Sequence, residues 1–436
     1  MGISRRRLLK AGMLVPAATG VGAGLGATLA PEAEAQHPPQ QRQPLPEAFD
    51  KLKSLGERVK PITVEEFQGR IAQAQRLMTD AKAPYNALYV TPGSTQFYFT
   101  GIRWGGGERL MALTIPRKGE AFLVGPAFEA DRLRELLRWP LELRVWQEDE
   151  SPYALVAKTL AERGFRTGRI GVNESTPYFF FDGLRKAAPG FQFTSGDPIT
   201  VGCRARKTAH ELNLMTLAHE ATYAVYKAVF TALREGMTQR DVSALISQGY
   251  QRMGLGGGGL VLFGEWAALP HGTTKPQKLK EGDVVLVDGG TSVEGYSSDV
   301  TRTTVLGKAS DKLKRAFETV RRAQDAALEA AQRGKLSGSV DDAARKVIVD
   351  AGYGKGYEQF THRLGHGIGL EGHEHPYLVR GSKTVLEPGM TFSNEPGIYV
   401  RGEYGVRCED VMAITENGPA KLLTPGFATS LENPFA

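Results

Sequence analysis

A chain of 436 residues is longer than one domain usually runs, so two domains are expected. Hydrophobic residues at 41% and charged residues at 23% exclude a disordered or fibrous protein and describe an ordinary globular one. The net charge of +6 is too mild and too scattered to argue for nucleic acid as a partner.

Residues 1–35 read as a twin-arginine signal peptide. Ser4-Arg5-Arg6-Arg7-Leu8-Leu9-Lys10 sets paired arginines before a leucine step and a lysine, an apolar stretch runs from Ala11 to Ala30, and Ala33-Glu34-Ala35 offers small residues for cleavage before Gln36. An ordinary secretory signal or an N-terminal membrane anchor is the plainer reading of such a start. The sequence predicts export to the periplasm or the extracellular space, no membrane association after cleavage, and a mature charge near +4.

Residues 36–61, with PPQQRQPLP and little periodicity, read as a linker or loose arm. A first α/β domain is expected over 62–201. Thr63 and Glu66 form a capping box opening a helix through Met78. Buried strands are predicted at Ala87–Val90, Leu113–Ile115 and Ala121–Val124, an amphipathic helix over Tyr153–Arg163, and a further strand from Gly168.

A second domain is expected over 202–436, opened by a long helix from His210 to Glu235. Thr238 with Asp241 caps a helix to about Met253, and Ser339 with Asp342 caps another to about Ala351. Each cap is followed, 50 and 56 residues on, by a carboxylate beside apolar residues, a weak hint of internal duplication. Gly256 to Gly259 leaves the local loop undefined, and Cys203 and Cys408 read as two buried thiols in preference to a disulfide.

Three stretches carry chemistry. Asp283-Val284-Val285-Leu286-Val287-Asp288 is an apolar strand ending in an acid, and Asp299 follows 11 residues later in Ser298-Asp299-Val300-Thr301-Arg302-Thr303. Antiparallel pairing through a turn at Ser292 to Gly295 would set the two carboxylates side by side, where they call for a cation. Taken alone, this pair also reads as a strand-end Asp on turn amides and a surface Asp paired to Arg302. The run from Thr361 to Pro376 holds four of the eight histidines, with glycines beside His366 expected to let the backbone bend there. Glu395, in Asn394-Glu395-Pro396-Gly397-Ile398-Tyr399, and Glu409, in Arg407-Cys408-Glu409-Asp410, lie on strands that could form a hairpin. Oxygen and imidazole donors without thiolate suit Mn²⁺, Co²⁺, Zn²⁺ or Fe²⁺, two of which carboxylates can bridge around a shared hydroxide.

In type and spacing these residues resemble the aminopeptidase P, prolidase and creatinase family of pita-bread metallopeptidases. The resemblance implies an α+β architecture: pseudo-twofold αβ repeats around a curved antiparallel sheet, preceded by a smaller α/β creatinase-type domain. It implies two divalent ions per subunit, manganese first and cobalt, zinc or iron otherwise, held by Asp288, Asp299, His366, Glu395 and Glu409, with Asp299 and Glu409 bridging. Glu395 would also take the proton of the attacking water. His271, in Ala-Leu-Pro-His-Gly, would contact substrate, and His362 and His373 would bind the scissile carbonyl and its oxyanion. Arg407 and Tyr399 would support the site or touch proline. Hydrolysis of the Xaa-Pro bond, in dipeptides or at the N-terminus of peptides with proline second, is the activity implied, in a homodimer or homotetramer. A metal-dependent C–N hydrolase or lyase acting on a small zwitterion is the alternative, and a non-catalytic binding module a further one. Arg103 and Trp104 read either as a surface loop or as a reach toward a partner subunit's site.

Overall fold

The computed structural model describes residues 45–435; the signal-peptide reading and the arm before Leu45 lie outside the described residues. Within the described chain, the stretch expected to be a loose arm packs instead on the fold, because Phe49, Leu52 and Leu55 are buried. Three apolar side chains in a short polar segment cover enough surface to hold it down.

The first sheet has six strands: β1 (Ala87–Val90), β2 (Ala112–Pro116), β3 (Phe122–Pro126), β4 (Glu142–Trp146), β5 (Gly168–Val172) and β6 (Phe191–Ser195), in the order β4-β3-β2-β1-β5-β6. β1, β2 and β3 are buried along their whole length, as continuous apolar runs require when both faces are covered. Helix α1 (Val64–Asp80) begins with the expected capping box, Thr63 accepting from the Glu66 amide. It packs one face of the sheet through Ile71, Ala74 and Met78. The carbonyl end of the segment passes into Asp197–Arg204, a short helix that runs through position 201.

Helix α2 (Ala209–Phe230) starts at a second capping box, Thr208 with Glu211, and stops five residues before the predicted end at Glu235. Arg234, Glu235 and Gly236 leave that end polar and glycine-broken, so no apolar face continues. Helix α3 (Gln239–Arg252) begins at the Thr238–Asp241 box, as expected. The tetraglycine stretch is a strand: β7 (Gly257–Phe263) runs through it. A Cβ at Gly257 would lie 2.6 Å from the Tyr250 ring, and one at Gly259 would lie 2.9 Å from the Tyr226 hydroxyl. Glycine lets the strand lie flat against those helices.

β7 pairs with β8 (Val284–Val293), which extends past Asp288 through Gly289 and Gly290. The hairpin turn sits at Glu294 and Gly295, tighter than the predicted Ser292–Gly295 span, and leads through β9 (Tyr296–Ser297) to β10 (Val300–Val305). The layout then repeats. Helices α4 (Asp311–Ala330) and α5 (Ser337–Asp350) precede a second antiparallel sheet, β12-β11-β13-β16-β17. Its strands are β11 (Gly365–Gly367), β12 (Glu374–Leu378), β13 (Thr391–Asn394), β16 (Asp410–Ala413) and β17 (Lys421–Leu422), with the hairpin β14 (Gly397–Val400) and β15 (Tyr404–Arg407) rising from it. Helix α5 begins two residues before the predicted Ser339 cap; the Ser339 hydroxyl donates to the Leu336 carbonyl and caps nothing. The α+β architecture with antiparallel sheets is the one expected.

Cys203 and Cys408 are both buried and free, and burial pushes each thiol up to about 12. Among the described residues no helix is long and apolar enough to cross a membrane.

Candidate metal centre

The two sheets meet at the site. Thr301 on β10 pairs with Asp288 on β8 and forms a bridge with Glu409, so the acid-bearing ends of both sheets converge. Asp288 lies within β8, Asp299 in the step just before β10. Glu395 follows β13 and Glu409 precedes β16, at the end of a ladder whose last pair is Asn394 with Asp410. Asp299, Glu395 and Glu409 thus sit just outside a regular pairing, and Asp288 is paired within its strand on both sides.

His366 is central on β11. Its backbone amide donates to the Ser393 hydroxyl at 2.9 Å, and its Nδ1 lies 3.1 Å from the Gly367 carbonyl. A carbonyl only accepts, so Nδ1 carries a hydrogen and Nε2 is the ring nitrogen left to face the acids. The β11–β12 register shifts between His366 and Gly367, an irregularity where the glycines are expected to bend the chain, with neither glycine in the left-handed region. A Cβ at Gly365 would lie 2.0 Å from the Ser393 carbonyl, and one at Gly367 2.5 Å from the Glu374 carbonyl, so glycine lets neighbouring strands close on His366.

The ligand atoms form overlapping clusters, in each of which all lie within 4.8 Å of one another. His366, Glu395 and Glu409 make one, and Asp288, Asp299 and Glu409 another; Asp299 also clusters with His366 and His373. His366 Nε2 stands 3.3 Å from Glu395 Oε1 and 3.7 Å from Asp299 Oδ2. Two cation-sized foci sharing Glu409 are the consequence. The set is all oxygen and imidazole; the nearby thiol of Cys408 is turned into the apolar core.

Electrostatics agree with a place built for cations. Burial, and then the charge of Asp288, push the Asp299 carboxyl up to about 8. Burial, followed by the charges of Asp299, Glu395 and Asp288, raises Glu409 well above the carboxylate range. Burial acts upward on Glu395 too, but its hydrogen bond to His366, with His362 and Arg407 nearby, outweighs it and holds the group at about 2. Carboxylates forced together without water are what a divalent cation relieves.

Around them lies a cleft of about 550 Å³ lined by His271, His362, His373, Arg363 and Arg407 together with the four acids and the His366 imidazole. His373 is exposed and its ring stacks on His366, centroids 3.7 Å apart. His271 is exposed at the rim. His362 is placed differently from the other two: Nδ1 lies 2.8 Å from the Arg363 carbonyl and Nε2 2.8 Å from the Tyr399 hydroxyl, so both ring nitrogens are engaged by the protein. Arg407 donates to Asp288 Oδ2 at 2.6 Å and to the Tyr399 hydroxyl at 2.9 Å. Arg302 does not pair with Asp299. It is wholly buried against Asp410 at 2.7 Å, which removes the structural reading of the second aspartate.

Several supporting residues were not singled out in the sequence. The Thr301 hydroxyl donates to Glu409 Oε2 at 2.6 Å, and Ser393 to Glu395 Oε1 at 3.1 Å. Both lie an even number of residues from a ligand on a strand, so the two-residue period placed them on the ligand face. Buried Asp341 and Arg345 on α5 hold the loop before β11: Asp341 accepts the Leu364 amide at 2.7 Å, and Arg345 donates to the Phe360 and His362 carbonyls at 2.9 Å each. Nothing in the local sequence links these to the histidine run. Arg103 stacks over Phe97 and Trp104 against Arg132, in a loop of the first segment.

Comparison with known proteins gives matching families for both parts. Residues 213–416 match metallopeptidase family M24 and residues 70–206 match the creatinase/prolidase N-terminal domain. The chain is 36% identical over 346 residues to the Xaa-Pro dipeptidase of Pyrococcus horikoshii, covering 78% of this chain and 93% of that protein. It is 35% identical to the Xaa-Pro dipeptidase of Lactobacillus delbrueckii subsp. lactis, over 76% and 91% of the two chains. Among solved structures, dipeptidase PepE from Mycobacterium ulcerans superposes with a TM-score of 0.77 at 34% identity, covering 84% of this chain and 98% of that one.

Proposed function

The chain belongs to metallopeptidase family M24, and we propose that it is an exported Xaa-Pro dipeptidase working on two divalent ions. One observation carries this reading: five ligands converge in two clusters sharing Glu409, inside a cleft with three histidines on its walls. The cleft is of a size that takes a small peptide. Two relatives matched over nine tenths of their own length are named Xaa-Pro dipeptidases, which favours dipeptides over longer substrates.

Asp288 would hold one ion and His366 with Glu395 the other, with Asp299 and Glu409 shared; manganese is the first choice for this donor set. When bound, the ions supply a water of lowered pKa and a Lewis acid for the scissile carbonyl. The protein's own groups do the rest. Glu395, whose Oε1 also accepts from the Ser393 hydroxyl, accepts the proton of the attacking water. His373, beside His366 at the cleft, and His271, at the rim, are the donors available to the carbonyl oxygen as its charge develops. His362 offers neither nitrogen in this arrangement; it is braced by Tyr399 and reaches the oxyanion only if that bond is exchanged. Arg407 sets the position of Asp288.

Export by the twin-arginine route, from the Ser4–Lys10 motif, completes the proposal, as does assembly into a dimer or tetramer. The test is to strip the protein with chelator, restore Mn²⁺, and assay Xaa-Pro dipeptides beside Xaa-Pro tripeptides. Metal-dependent cleavage of dipeptides is expected. No release from either substrate overturns the peptidase reading, and tripeptide cleavage at an equal rate overturns the dipeptide preference.

A further inference from the structure

One polar side chain behind the metal centre has no part in the reaction above. His219 lies in the middle of helix α2, with no exposed surface, among Leu214, Met215, Ala218 and Ala221. An imidazole in that company costs desolvation that an apolar residue of similar volume would avoid. Its hydrogen bonds show what it holds. Nδ1 lies 2.7 Å from the Met215 carbonyl, which can only accept, so Nδ1 bears the hydrogen. Nε2 then has a lone pair, and it receives the backbone N–H of Asp299 at 3.3 Å.

That N–H belongs to no strand pairing. Asp299 sits between β9 and β10, and the β8–β10 ladder starts one residue later with Val300 against Gly289. The preceding residue is gripped from the same helix. Thr222, three positions after His219 and so on the same face, meets the Ser298 hydroxyl at 2.8 Å, and that oxygen also accepts the Thr291 amide at 3.0 Å. Helix α2 therefore grips two successive residues: Ser298 is also held by β8, its amide donating to the Thr291 carbonyl at 2.9 Å, whereas the Asp299 amide is held by His219, and Asp299 carries a carboxylate common to two ligand clusters.

We propose that His219 is a positioning residue for the metal centre: by accepting the Asp299 amide it fixes the peptide from which the Asp299 carboxylate reaches Asp288 and Glu409 on one side and His366 and His373 on the other. The proposal rests on the reading of Asp299 as a metal ligand. Outer-shell partners of this kind commonly alter metal affinity by about 10–100-fold when removed.

The experiment compares full-length protein with His219→Gln, His219→Asn and His219→Leu, each stripped of metal. Mn²⁺ and Co²⁺ affinities are measured by titration calorimetry, and the visible absorption of the Co²⁺ form reports its coordination. Glutamine reaches the Nε2 position with an acceptor, asparagine reaches only the Nδ1 position, and leucine offers none. Glutamine is expected to bind within a few-fold of the parent with the same cobalt spectrum. Asparagine and leucine are expected to lose about 10–100-fold with a changed spectrum. Should the leucine variant not fold, the asparagine and glutamine pair decides alone. Parent-like binding by asparagine, or an equal loss in glutamine, overturns the proposal. Failure of the parent itself to bind either ion would remove the metal-centre reading and this proposal with it.

Discussion

The hydroxyl of Tyr399 lies 2.8 Å from His362 Nε2, and the same oxygen accepts a hydrogen bond from Arg407 at 2.9 Å. Because the guanidinium can only donate, the phenol's own hydrogen is free to point at the imidazole, and a fixed relay runs from Arg407 to His362. Tyr399→Phe breaks the relay and leaves the Arg407–Asp288 pair intact. The variant should lose about tenfold in kcat/KM on an Xaa-Pro dipeptide, near 1.4 kcal/mol, with Mn²⁺ affinity unchanged. Equal kinetics in parent and variant would show that the relay does nothing for the reaction.

Glu395→Gln keeps the shape of the side chain and removes its ability to take a proton. Activity should fall by about 10²–10⁴-fold in the manganese-loaded protein. Chelation of the parent should abolish hydrolysis reversibly. A metal-loaded Gln variant with near-parent turnover would move the proton acceptor elsewhere.

The Asp341–Arg345 pair on α5 is buried and binds the loop that carries His362. Asp341→Ala leaves the Arg345 charge buried without its partner and the Leu364 amide without its acceptor. A destabilisation of about 3–5 kcal/mol follows from breaking such a pair. Urea unfolding of the metal-free proteins measures it, and a shift under 1 kcal/mol would contradict the role given to this pair.

Glu374 pins the start of β12, just after His373, to Lys207 at 2.7 Å and to Arg204. Burial pushes its carboxyl up, but the charges of Lys207 and Arg204 outweigh this and hold it below the usual carboxylate range. A carboxyl depressed in the folded state contributes stability above its unfolded value, about 4.5, and loses it as pH falls toward the folded one. Glu374→Gln should therefore be less stable than the parent at pH 7, and the gap should narrow below about pH 4.5. Unfolding midpoints across that range test this; a constant gap would mean that the pair's charge is irrelevant.

Replacing Arg5 and Arg6 by lysines should trap the protein inside a bacterial cell, with fractionation as the readout. Unchanged export would point to the general secretory route.

The site was legible wherever chemistry is written into local spacing. Asp288, Asp299, His366, Glu395 and Glu409 each sit beside an apolar run that ends in an acid or an imidazole, and the structure gathers them in one cleft. Capping boxes at Thr63 and Thr238 were readable for the same reason, since cap and acid lie three residues apart. What was not legible depends on contacts between distant elements. His219 looks like any histidine on an apolar helix face until its ring meets residue 299, and Asp341 has no local mark of its hold on Leu364. The tetraglycine strand failed for a related reason: glycine is a poor strand former on its own, and only the Tyr226 and Tyr250 side chains pressing on it explain the choice.

The convergence of the five ligands has a consequence for biosynthesis. They run from Asp288 to Glu409, so the first and the last candidate donor stand 121 residues apart in the chain. A nascent chain that stops before Glu409 carries an incomplete donor set however well its earlier elements fold, and on the proposed reading it gains no activity until that residue has been made.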